Sequence, residues 1–383
     1  MILNTMDNNL FVQADHSIFK FKTFSNELLH WLHAFRHENP SKFIDNIQTD
    51  FQIIKVNKTI LPLSVNNKEY QNSYVVSPYT AFILYSFDEI KKISNCFVRI
   101  ILKTLILLFD KFFKAFNVNR VVMINNWLLS TNLYPELQAQ DVKQIITLLS
   151  QRYPKHVLVF RSLNGYSNAT LISNLKKLGC ILSASRQVYV FDPSKNNYLK
   201  RNNCKNDLRL LKNSSYNVVE HDALNENDYQ RIVELYNMLY LEKYSVYNPQ
   251  FNYKFIKLAH QKRFLTMMGF RNSNGRLDGI IGYFKVGNII TAPLVGYDIH
   301  LPKEKGLYRL LMIYLLKKTK EENLLLNLSS GASGFKKLRG GQPHIEYSGI
   351  YVKHLPLYSR LFWRFLQLLT NYIAEPILKK YEL

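Results

Sequence analysis

Residues 323–341 read Asn-Leu-Leu-Leu-Asn-Leu-Ser-Ser-Gly-Ala-Ser-Gly-Phe-Lys-Lys-Leu-Arg-Gly-Gly. The apolar run from Leu324 to Leu328 is typical of a buried strand, because it is short and ends in small turn residues. The small residues from Ser329 to Ser333 indicate a strand-to-helix turn whose backbone a ligand can approach. The segment therefore predicts a buried strand, a turn and a short helix that begins near Phe335.

Charged side chains follow this turn closely. Lys336 and Arg339 lie on the predicted short helix, and the glycine pair Gly340-Gly341 ends that helix. The next predicted strand brings Glu346 back alongside. Free backbone N–H groups, fixed cations and a carboxylate then converge, as a site for an anionic ligand requires. The alternative is an ordinary connection that carries a solvated basic helix.

The composition limits the class of protein. A chain of 383 residues suggests two or three domains of the usual size. Hydrophobic residues make up 47% of the chain and aromatic residues 14%, which excludes disorder for most of its length. Lys and Arg outnumber Asp and Glu by 50 to 28, and the net charge of +22 favours polyanions, anionic membrane surfaces or phosphorylated ligands. The charge does not choose among these, and solubility alone is the alternative.

The cysteines and the N-terminal residues indicate a cytoplasmic protein. Cys96, Cys180 and Cys204 are odd in number and widely spaced, so they predict neither a disulfide framework nor a CxxC metal pair. Residues 1–22 lack an apolar core, so no secretory signal is expected.

Three histidines have the spacing of one helix face, a pattern that metal sites also use. They are His30, His33 and His37. No further ligand with matching spacing lies nearby in the sequence, so we interpret them as histidines at the solvent edge of a helix. No metal cofactor is expected.

Two stretches combine apolar and basic residues. The stretch from Asn95 to Val118 contains five charged residues, so it predicts an amphipathic basic helix and excludes a transmembrane span. This helix either covers the core of the first domain, which we favour, or lies on anionic lipid. The C-terminal stretch from Tyr358 to Tyr381 leaves the same choice open. Its apolar stripe consists of Leu361, Phe362, Phe365, Leu368, Leu369 and Tyr372.

The order of predicted elements occurs twice, at an offset of roughly 160 residues, which suits a duplicated domain. Each copy predicts strand, helix, strand, helix and strand. The first copy has these elements within 120–129, 142–152, 156–161, 169–178 and 181–191, and the second within 288–297, 307–321, 324–328, 335–340 and 344–352.

A set of short motifs in the second copy resembles a known family. These motifs are Val295-Gly296-Tyr297-Asp298, Gly306-Leu307-Tyr308, Leu328-Ser329-Ser330-Gly331-Ala332, Phe335-Lys336, Arg339-Gly340, Pro343, Glu346-Tyr347 and His354-Leu355-Pro356. With the order of elements over about 216–356, they resemble the GNAT acyltransferase superfamily. The tandem copy resembles the double-GNAT group that includes the Fem-type aminoacyltransferases.

The resemblance implies an α/β fold (an α+β mixed sheet) with two GNAT-like domains in tandem and a C-terminal amphipathic helix. Residues 1–192 would form the first, degenerate domain. A basic linker and helix would follow at 193–215, then the second, catalytic domain at 216–356 and the C-terminal helix at 357–383.

One turn departs from the family pattern. GNAT enzymes hold the donor pyrophosphate in a glycine-rich turn at a helix start, but here that turn is Lys303-Glu304-Lys305-Gly306-Leu307-Tyr308, with one glycine. Lys303, Lys305 and Gly306 are therefore candidates for donor binding. Compared with acyl-CoA in its usual pose, an aminoacyl-tRNA or an acyl-carrier protein becomes more plausible as donor. The equivalent turn in the first half, 134–138, has no glycine and is expected to be structural or to help form the acceptor groove.

Acyl transfer to an amine needs a base, a site for the oxyanion and a proton for the leaving group. Either Asp298 or Glu346 is the candidate base, and Tyr308 or Tyr297 the candidate proton donor. Each has an alternative structural role as a cap, an ion-pair partner or a packed ring. The candidates for substrate or donor binding near the turn are Lys336 and Arg339, which suit a phosphate or carboxylate, and Ser329 and Ser330, which can orient the substrate.

The resemblance thus implies an N-acyltransferase that moves an acyl group from acyl-CoA or acyl-carrier protein to an amine of a cell-envelope precursor, an aminolipid or a small metabolite. One alternative is a Fem-like enzyme with aminoacyl-tRNA as donor, which the net charge of +22 suits. Another is a module without catalysis that binds nucleic acid or an anionic membrane, at the inner face of the cytoplasmic membrane in the latter case. The absence of a GxSxG motif disfavours a serine hydrolase.

Overall fold

The computed structural model describes residues 26–57, 59–91 and 93–381. The interpretation of residues 1–22 therefore lies outside the described residues. The described strands form one mixed sheet of eleven, in the order β1-β2-β3-β4-β11-β5-β10-β9-β8-β7-β6. They are β1 Asp50–Val56, β2 Thr59–Asn66, β3 Val121–Ile124, β4 Val157–Asn164, β5 Ile181–Phe191, β6 Asn217–Val219, β7 Thr266–Arg271, β8 Leu277–Val286, β9 Ile289–Tyr297, β10 Leu325–Asn327 and β11 Gln342–Tyr351.

Helices cover this sheet, and short π-helical segments extend three of them. The α-helices are α1 Asn26–His37, α2 Tyr85–Ile90, α3 Cys96–Ala115, α4 Ala139–Arg152, α5 Ala169–Leu178, α6 Asn202–Lys212, α7 Glu226–Asn237, α8 Tyr253–Gln261, α9 Leu307–Glu321, α10 Ser333–Leu338, α11 Leu357–Leu369 and α12 Glu375–Tyr381. The π segments are Thr80–Leu84, Met238–Glu242 and Thr370–Ala374, and the last joins α11 to α12.

The strand order has an internal symmetry that matches the predicted repeat. Adding six to each strand number converts β1–β5 into β7–β11, and the sheet order reads the same from either end apart from the edge strand β6. In each copy the third and fourth strands are parallel: β3 pairs with β4, and β9 with β10. The mixed α/β sheet, the repeated order and the C-terminal helix are thus confirmed.

The two copies exchange their last strands. β11 pairs with β4 and β5, while β5 also pairs with β10, so each copy completes the sheet of the other. Because backbone hydrogen bonds cross between the copies on both sides of β11 and β5, they form one continuous sheet. The domain boundaries near residues 192 and 216 stay a prediction.

The N-terminal helix contributes to a core shared by both copies. Trp31 of α1 stacks on Phe264 with ring centroids 3.7 Å apart and meets the edge of Phe255 at 5.1 Å. All three side chains are buried. Burial of aromatic rings is a large apolar contribution, so this contact ties the two copies together. Elsewhere on α1, the rings of His33 and His37 lie 4.2 Å apart, tilted by 44°. No cluster of His, Cys, Asp and Glu within the described ranges could hold a metal ion.

Helix α3 lies within the predicted stretch and ends three residues before Val118, but it does not have the predicted environment. Asn95 caps it by accepting a hydrogen bond from the N–H of Val98, yet Phe113 is its one fully buried hydrophobic side chain. The preferred interpretation, in which this helix covers the core, is wrong for most of its apolar residues. Phe113 joins the core cluster that contains Tyr79, Ile83 and Trp363, and Ile106 and Phe109 pack partly against that cluster. None of the helices in the described part of the chain is long and apolar enough to cross a membrane.

Candidate functional site

A cavity of about 670 Å³ lies between the middle of the sheet and the helices α3, α11 and α12. Its walls are apolar, and its floor carries charged and hydroxyl groups. Six charged or hydroxyl-bearing residues of the floor are relevant to a reaction there: Arg161, Arg186, Ser329, Ser330, Lys336 and Glu346. The apolar wall on the helix side includes Leu102, Ile106, Phe109, Trp363, Leu366 and Leu369.

The floor forms where parallel strands part. β9 and β10 pair only from Ile289 to Thr291 and from Leu325 to Asn327, and from Ala292 onward β9 is no longer paired with β10. The chain then turns through Ser329, with φ of 57°. A left-handed backbone at a residue other than glycine is uncommon and is held by surrounding contacts. The predicted strand, turn and short helix around 324–338 are present, and this turn borders the cavity.

Irregular pairing also shapes the floor around β11. The register of β11 against β5 shifts between Glu346 and Tyr347, which leaves Ser185 as the extra residue. Against β4 it shifts between Tyr347 and Gly349. Such bulges redirect side chains and are common beside functional sites.

Glu346 and Arg186 form a buried ion pair across β11 and β5. They are direct partners in the register, and Nε of Arg186 donates to Oε1 of Glu346 at 2.8 Å, while Nη2 donates to Oε2 at 3.3 Å. The same Nη2 donates to the carbonyl oxygen of Ser130 at 2.6 Å. Burial opposes the charge of Arg186, but the carboxylate outweighs it and raises the pKa of Arg186 overall. The pair holds the Glu346 carboxylate at a fixed place on the floor.

Lys336 is a buried amine in the same floor. Its side chain is 3% exposed, and its Nζ donates to the carbonyl oxygens of Leu328 at 2.7 Å, Ser329 at 3.3 Å and Ser330 at 2.8 Å. Burial, with a smaller effect from Arg186, lowers the pKa of Lys336 to about 7. Three acceptors match the three donors of an ammonium group, so Lys336 fixes the turn when it is protonated.

Tyr308 places a phenol group at the cavity wall. It lies in the first turn of α9 and packs on Phe335 with ring centroids 4.8 Å apart and on Tyr297 at 6.0 Å. Burial raises the pKa of Tyr308 above its usual value. The hydroxyl therefore carries its proton at neutral pH. Of the predicted site residues, the structure brings together Ser329, Ser330, Lys336, Glu346 and Tyr308.

Asp298 lies outside the residues that line the cavity. Its Oδ2 accepts from Nη2 of Arg231 at 2.6 Å, and its Oδ1 accepts from the N–H of His300 at 3.0 Å. Burial disfavours the carboxylate, but the hydrogen bonds and the charge of Arg231 outweigh it, and the pKa of Asp298 is lowered. This geometry suits an anchor for the end of β9.

The predicted donor-binding turn is also separate from the cavity lining. Lys303 and Lys305 are exposed. Gly306 has φ of 63°, a conformation that favours glycine, and a Cβ atom there would displace the end of the Leu210 side chain, whose Cδ2 would lie 2.7 Å away. Tyr297 also lies outside the lining and accepts a hydrogen bond from Nζ of Lys243 at 3.4 Å.

Arg339 is buried, and its guanidinium group binds Asp207. Its Nε donates to Oδ2 of Asp207 at 2.5 Å, its Nη1 donates to the carbonyl oxygen of Phe335, and its guanidinium lies 3.4 Å from the centre of the Phe335 ring. Asp207 also accepts from Nε of Arg309 at 2.6 Å. These contacts join α6, α9 and the end of α10, and Arg339 does not line the cavity.

Two floor residues were not identified from the sequence. Arg186 and Arg161 both come from the first copy, whose own turn suggested a structural role. Arg161 donates to the carbonyl oxygen of Val75 at 2.9 Å, and burial lowers its pKa. A signal exists for Arg186, because small residues precede it within a predicted buried strand (Ser183-Ala184-Ser185-Arg186), and a charged side chain there needs a buried partner.

We compared the chain with protein families, curated proteins and solved structures, and matches were found among the solved structures. No protein-family model matches the chain, and no curated protein matches its sequence. A tandem GNAT protein from the clavulanic acid biosynthesis pathway matches 91% of this chain and 98% of its own, with 9% identity and a TM-score of 0.39. FemX covers 60% of this chain and 80% of its own at 9% identity and a TM-score of 0.45. L-PGS from Bacillus licheniformis covers 60% and 78% at 14% identity and a TM-score of 0.43. The chain is thus similar to GNAT-fold proteins, including a tandem one, and likeness at this level says nothing of substrate.

Proposed function

We propose that the chain is an N-acyltransferase whose cavity holds a long acyl chain, with the reacting carbonyl at the floor beside Glu346. The observation that carries the proposal is the contrast within one cavity of about 670 Å³: apolar helix walls lead to a floor with a buried carboxylate, an amine and hydroxyl groups. Apolar walls with a few placed polar groups are the usual composition of a ligand site.

In the proposed reaction, the nitrogen of a neutral amine attacks the carbonyl carbon of an acyl thioester. A C–N bond forms, the C–S bond breaks, and the leaving sulfur takes the electron pair. Glu346 accepts the proton that the amine loses, and Tyr308 gives a proton to the sulfur, so that the products are an amide and a thiol. Glu346 then returns its proton to water and Tyr308 takes one from water, which restores both side chains. Glu346 takes this role rather than Asp298 because it lines the cavity.

The other floor residues position these groups. Arg186 orients the Glu346 carboxylate through two hydrogen bonds. Lys336 holds the turn at 328–330 by its three carbonyl contacts, and the hydroxyl groups of Ser329 and Ser330 orient the substrate.

A long acyl chain in the cavity belongs to one of two molecules, and its apolar contacts with the walls are the same in both cases. It belongs either to the donor, an acyl-CoA or acyl-carrier protein whose phosphate meets the exposed Lys303 and Lys305, or to an aminolipid acceptor. The Fem-like alternative, with an aminoacyl-tRNA donor, rests on the net charge of +22.

Release of free thiol tests the proposal. The full chain is incubated with acetyl-CoA or palmitoyl-CoA, and with ethanolamine or phosphatidylethanolamine vesicles. We expect release that depends on the amine and is fastest when one partner carries a long chain. Faster release with palmitoyl-CoA and ethanolamine would show that the acyl chain belongs to the donor. Faster release with acetyl-CoA and the phosphatidylethanolamine vesicles would show that it belongs to the acceptor.

Variants place the activity at the floor. Glu346→Gln should abolish release, while Asp222→Asn, which changes an exposed carboxylate outside the cavity, should retain it. If none of these pairs released thiol and the chain instead transferred the aminoacyl group of an aminoacyl-tRNA, the Fem-like alternative would replace the proposal.

A further inference from the structure

Helices α3 and α11 each expose a stripe of large apolar side chains with the same spacing. On α3 the stripe is Phe97, Ile101, Leu105, Leu108 and Phe112. On α11 and the π segment after it, it is Leu357, Leu361, Phe365, Leu368 and Tyr372. Steps of four, four, three and four residues keep each stripe on one side of its helix. Phe97 is 72% exposed and Phe365 51% exposed, so neither stripe is covered within the described chain.

The two helices lie side by side. The ring centroids of Phe109 and Phe365 are 6.2 Å apart, and Phe116 stacks on Phe362 at 4.5 Å. The exposed apolar residues of both helices therefore form a patch of the kind that marks an interaction surface. We call these two stripes together the apolar face.

The cavity opens on the apolar face. Leu105 of α3 and Ile373 of the π segment both line the cavity, and both are exposed to solvent. A molecule that covers the apolar face therefore also covers the mouth of the cavity.

Basic residues adjoin the apolar face. On α3, the basic residues Arg99, Lys103, Lys111 and Lys114 are all exposed, and Asp110 is the one acidic residue of this helix. Arg360 and Arg364 lie on α11. An amphipathic helix that combines large apolar residues with basic ones is suited to the interface of a bilayer that contains anionic lipid. A second copy of the chain is disfavoured, because two basic surfaces and two net charges of +22 would meet.

We propose that the apolar face docks on an anionic lipid bilayer, with α3 and α11 lying in the plane of its surface. Docking does not depend on the proposed function. One consequence does: a lipid chain can pass from the bilayer into the cavity between Leu105 and Ile373 without crossing water.

Flotation of the full chain with lipid vesicles tests the docking. Vesicles of phosphatidylcholine alone are compared with vesicles that also contain about 30% phosphatidylglycerol, at low and high salt. We expect flotation with the anionic vesicles that is reduced, but not lost, at high salt, because apolar contact remains when charge is screened. If the chain floated with neither kind of vesicle, or if its flotation with the anionic vesicles disappeared completely at high salt, the proposal would be overturned.

Acidic substitutions on the apolar face supply the matched test. Leu108→Glu with Phe365→Glu should weaken vesicle binding by about 100-fold, since two large apolar side chains leave the bilayer. The control, Val218→Glu with Val246→Glu, makes the same charge change at exposed apolar positions outside these helices and should bind as the unaltered chain does. Because all four positions are exposed, the thermal midpoints should stay equal.

Two further outcomes would count against the proposal. If both double variants lose binding equally, the net charge rather than the apolar face governs it. If sedimentation shows that the unaltered chain is a dimer and that Leu108→Glu with Phe365→Glu separates it, a second copy covers the face. Failure of the proposed function is separate, because acyl transfer between water-soluble substrates does not require vesicles.

Discussion

Replacing Lys336 by Met should remove a specific dependence of stability on pH. Burial lowers the pKa of this amine from 10.5 to about 7, which corresponds to about 5 kcal/mol of free energy against the folded ammonium. The unfolded chain keeps this proton up to about pH 10.5, and the folded chain loses it near pH 7. Between these values the unfolded state binds more protons, so the free energy of unfolding rises with pH.

The expected size of this effect follows from the two pKa values. From pH 7.5 to pH 9.5, Lys336 should contribute a rise of about 2.5 kcal/mol in the free energy of unfolding. Other titrating groups contribute equally to the unaltered chain and to Lys336→Met, so they cancel in the comparison. Lys337→Met is the matched control, because it removes a neighbouring exposed lysine from the same short helix.

Urea unfolding at the two pH values measures the effect. The change in free energy between pH 7.5 and pH 9.5 should be about 2.5 kcal/mol smaller for Lys336→Met than for the unaltered chain and for Lys337→Met. If all three proteins changed by the same amount within about 0.5 kcal/mol, the reasoning would be refuted: the amine would then keep its ordinary pKa despite burial.

Three further substitutions separate catalysis from structure. Glu346→Gln should lower turnover by at least about 100-fold, the usual effect of losing a general base, and should also lower the thermal midpoint, because the buried Arg186 loses its carboxylate partner; calorimetry measures the midpoint, and thiol release is measured well below it, where the variant is folded. Asp207→Asn should destabilise the fold by about 3 kcal/mol in urea unfolding, because two arginines lose a buried carboxylate; a loss below about 0.5 kcal/mol would contradict this. Gly306→Ala should cost about 1–2 kcal/mol of stability through its left-handed φ and the contact with Leu210, and an unchanged urea midpoint would show that the turn relaxes.

The local sequence was sufficient to predict the elements and four of the six floor residues, Ser329, Ser330, Lys336 and Glu346. The apolar run at 324–328 with its small residues predicted the strand and turn, and the repeated order predicted the symmetry of the sheet. Lys336 and Glu346 were found because they lie within the same short segment. These are patterns of neighbouring residues, and they need no knowledge of distant contacts.

The distant contacts could not be found in this way. Arg186 meets Glu346 because β5 and β11 exchange places, and nothing near either residue specifies that pairing. The environment of α3 was also undetermined, since the same amphipathic spacing serves a helix on a protein core and a helix on lipid. Asp298 and Arg339 have the residue types of a site, but Arg231 and Asp207 bind them elsewhere.

Chain-length dependence of binding tests the central claim, that the cavity holds an acyl chain. Affinity is measured for saturated acyl-CoA compounds and for saturated alkylamines, each from about 4 to 14 carbons. Each buried methylene should add about 0.8 kcal/mol, so affinity in at least one series should rise steeply and then level off once the cavity is filled. Ala374→Trp, which narrows the cavity wall, should make that series level off at a shorter chain. Affinity that does not vary with chain length in either series would contradict the claim.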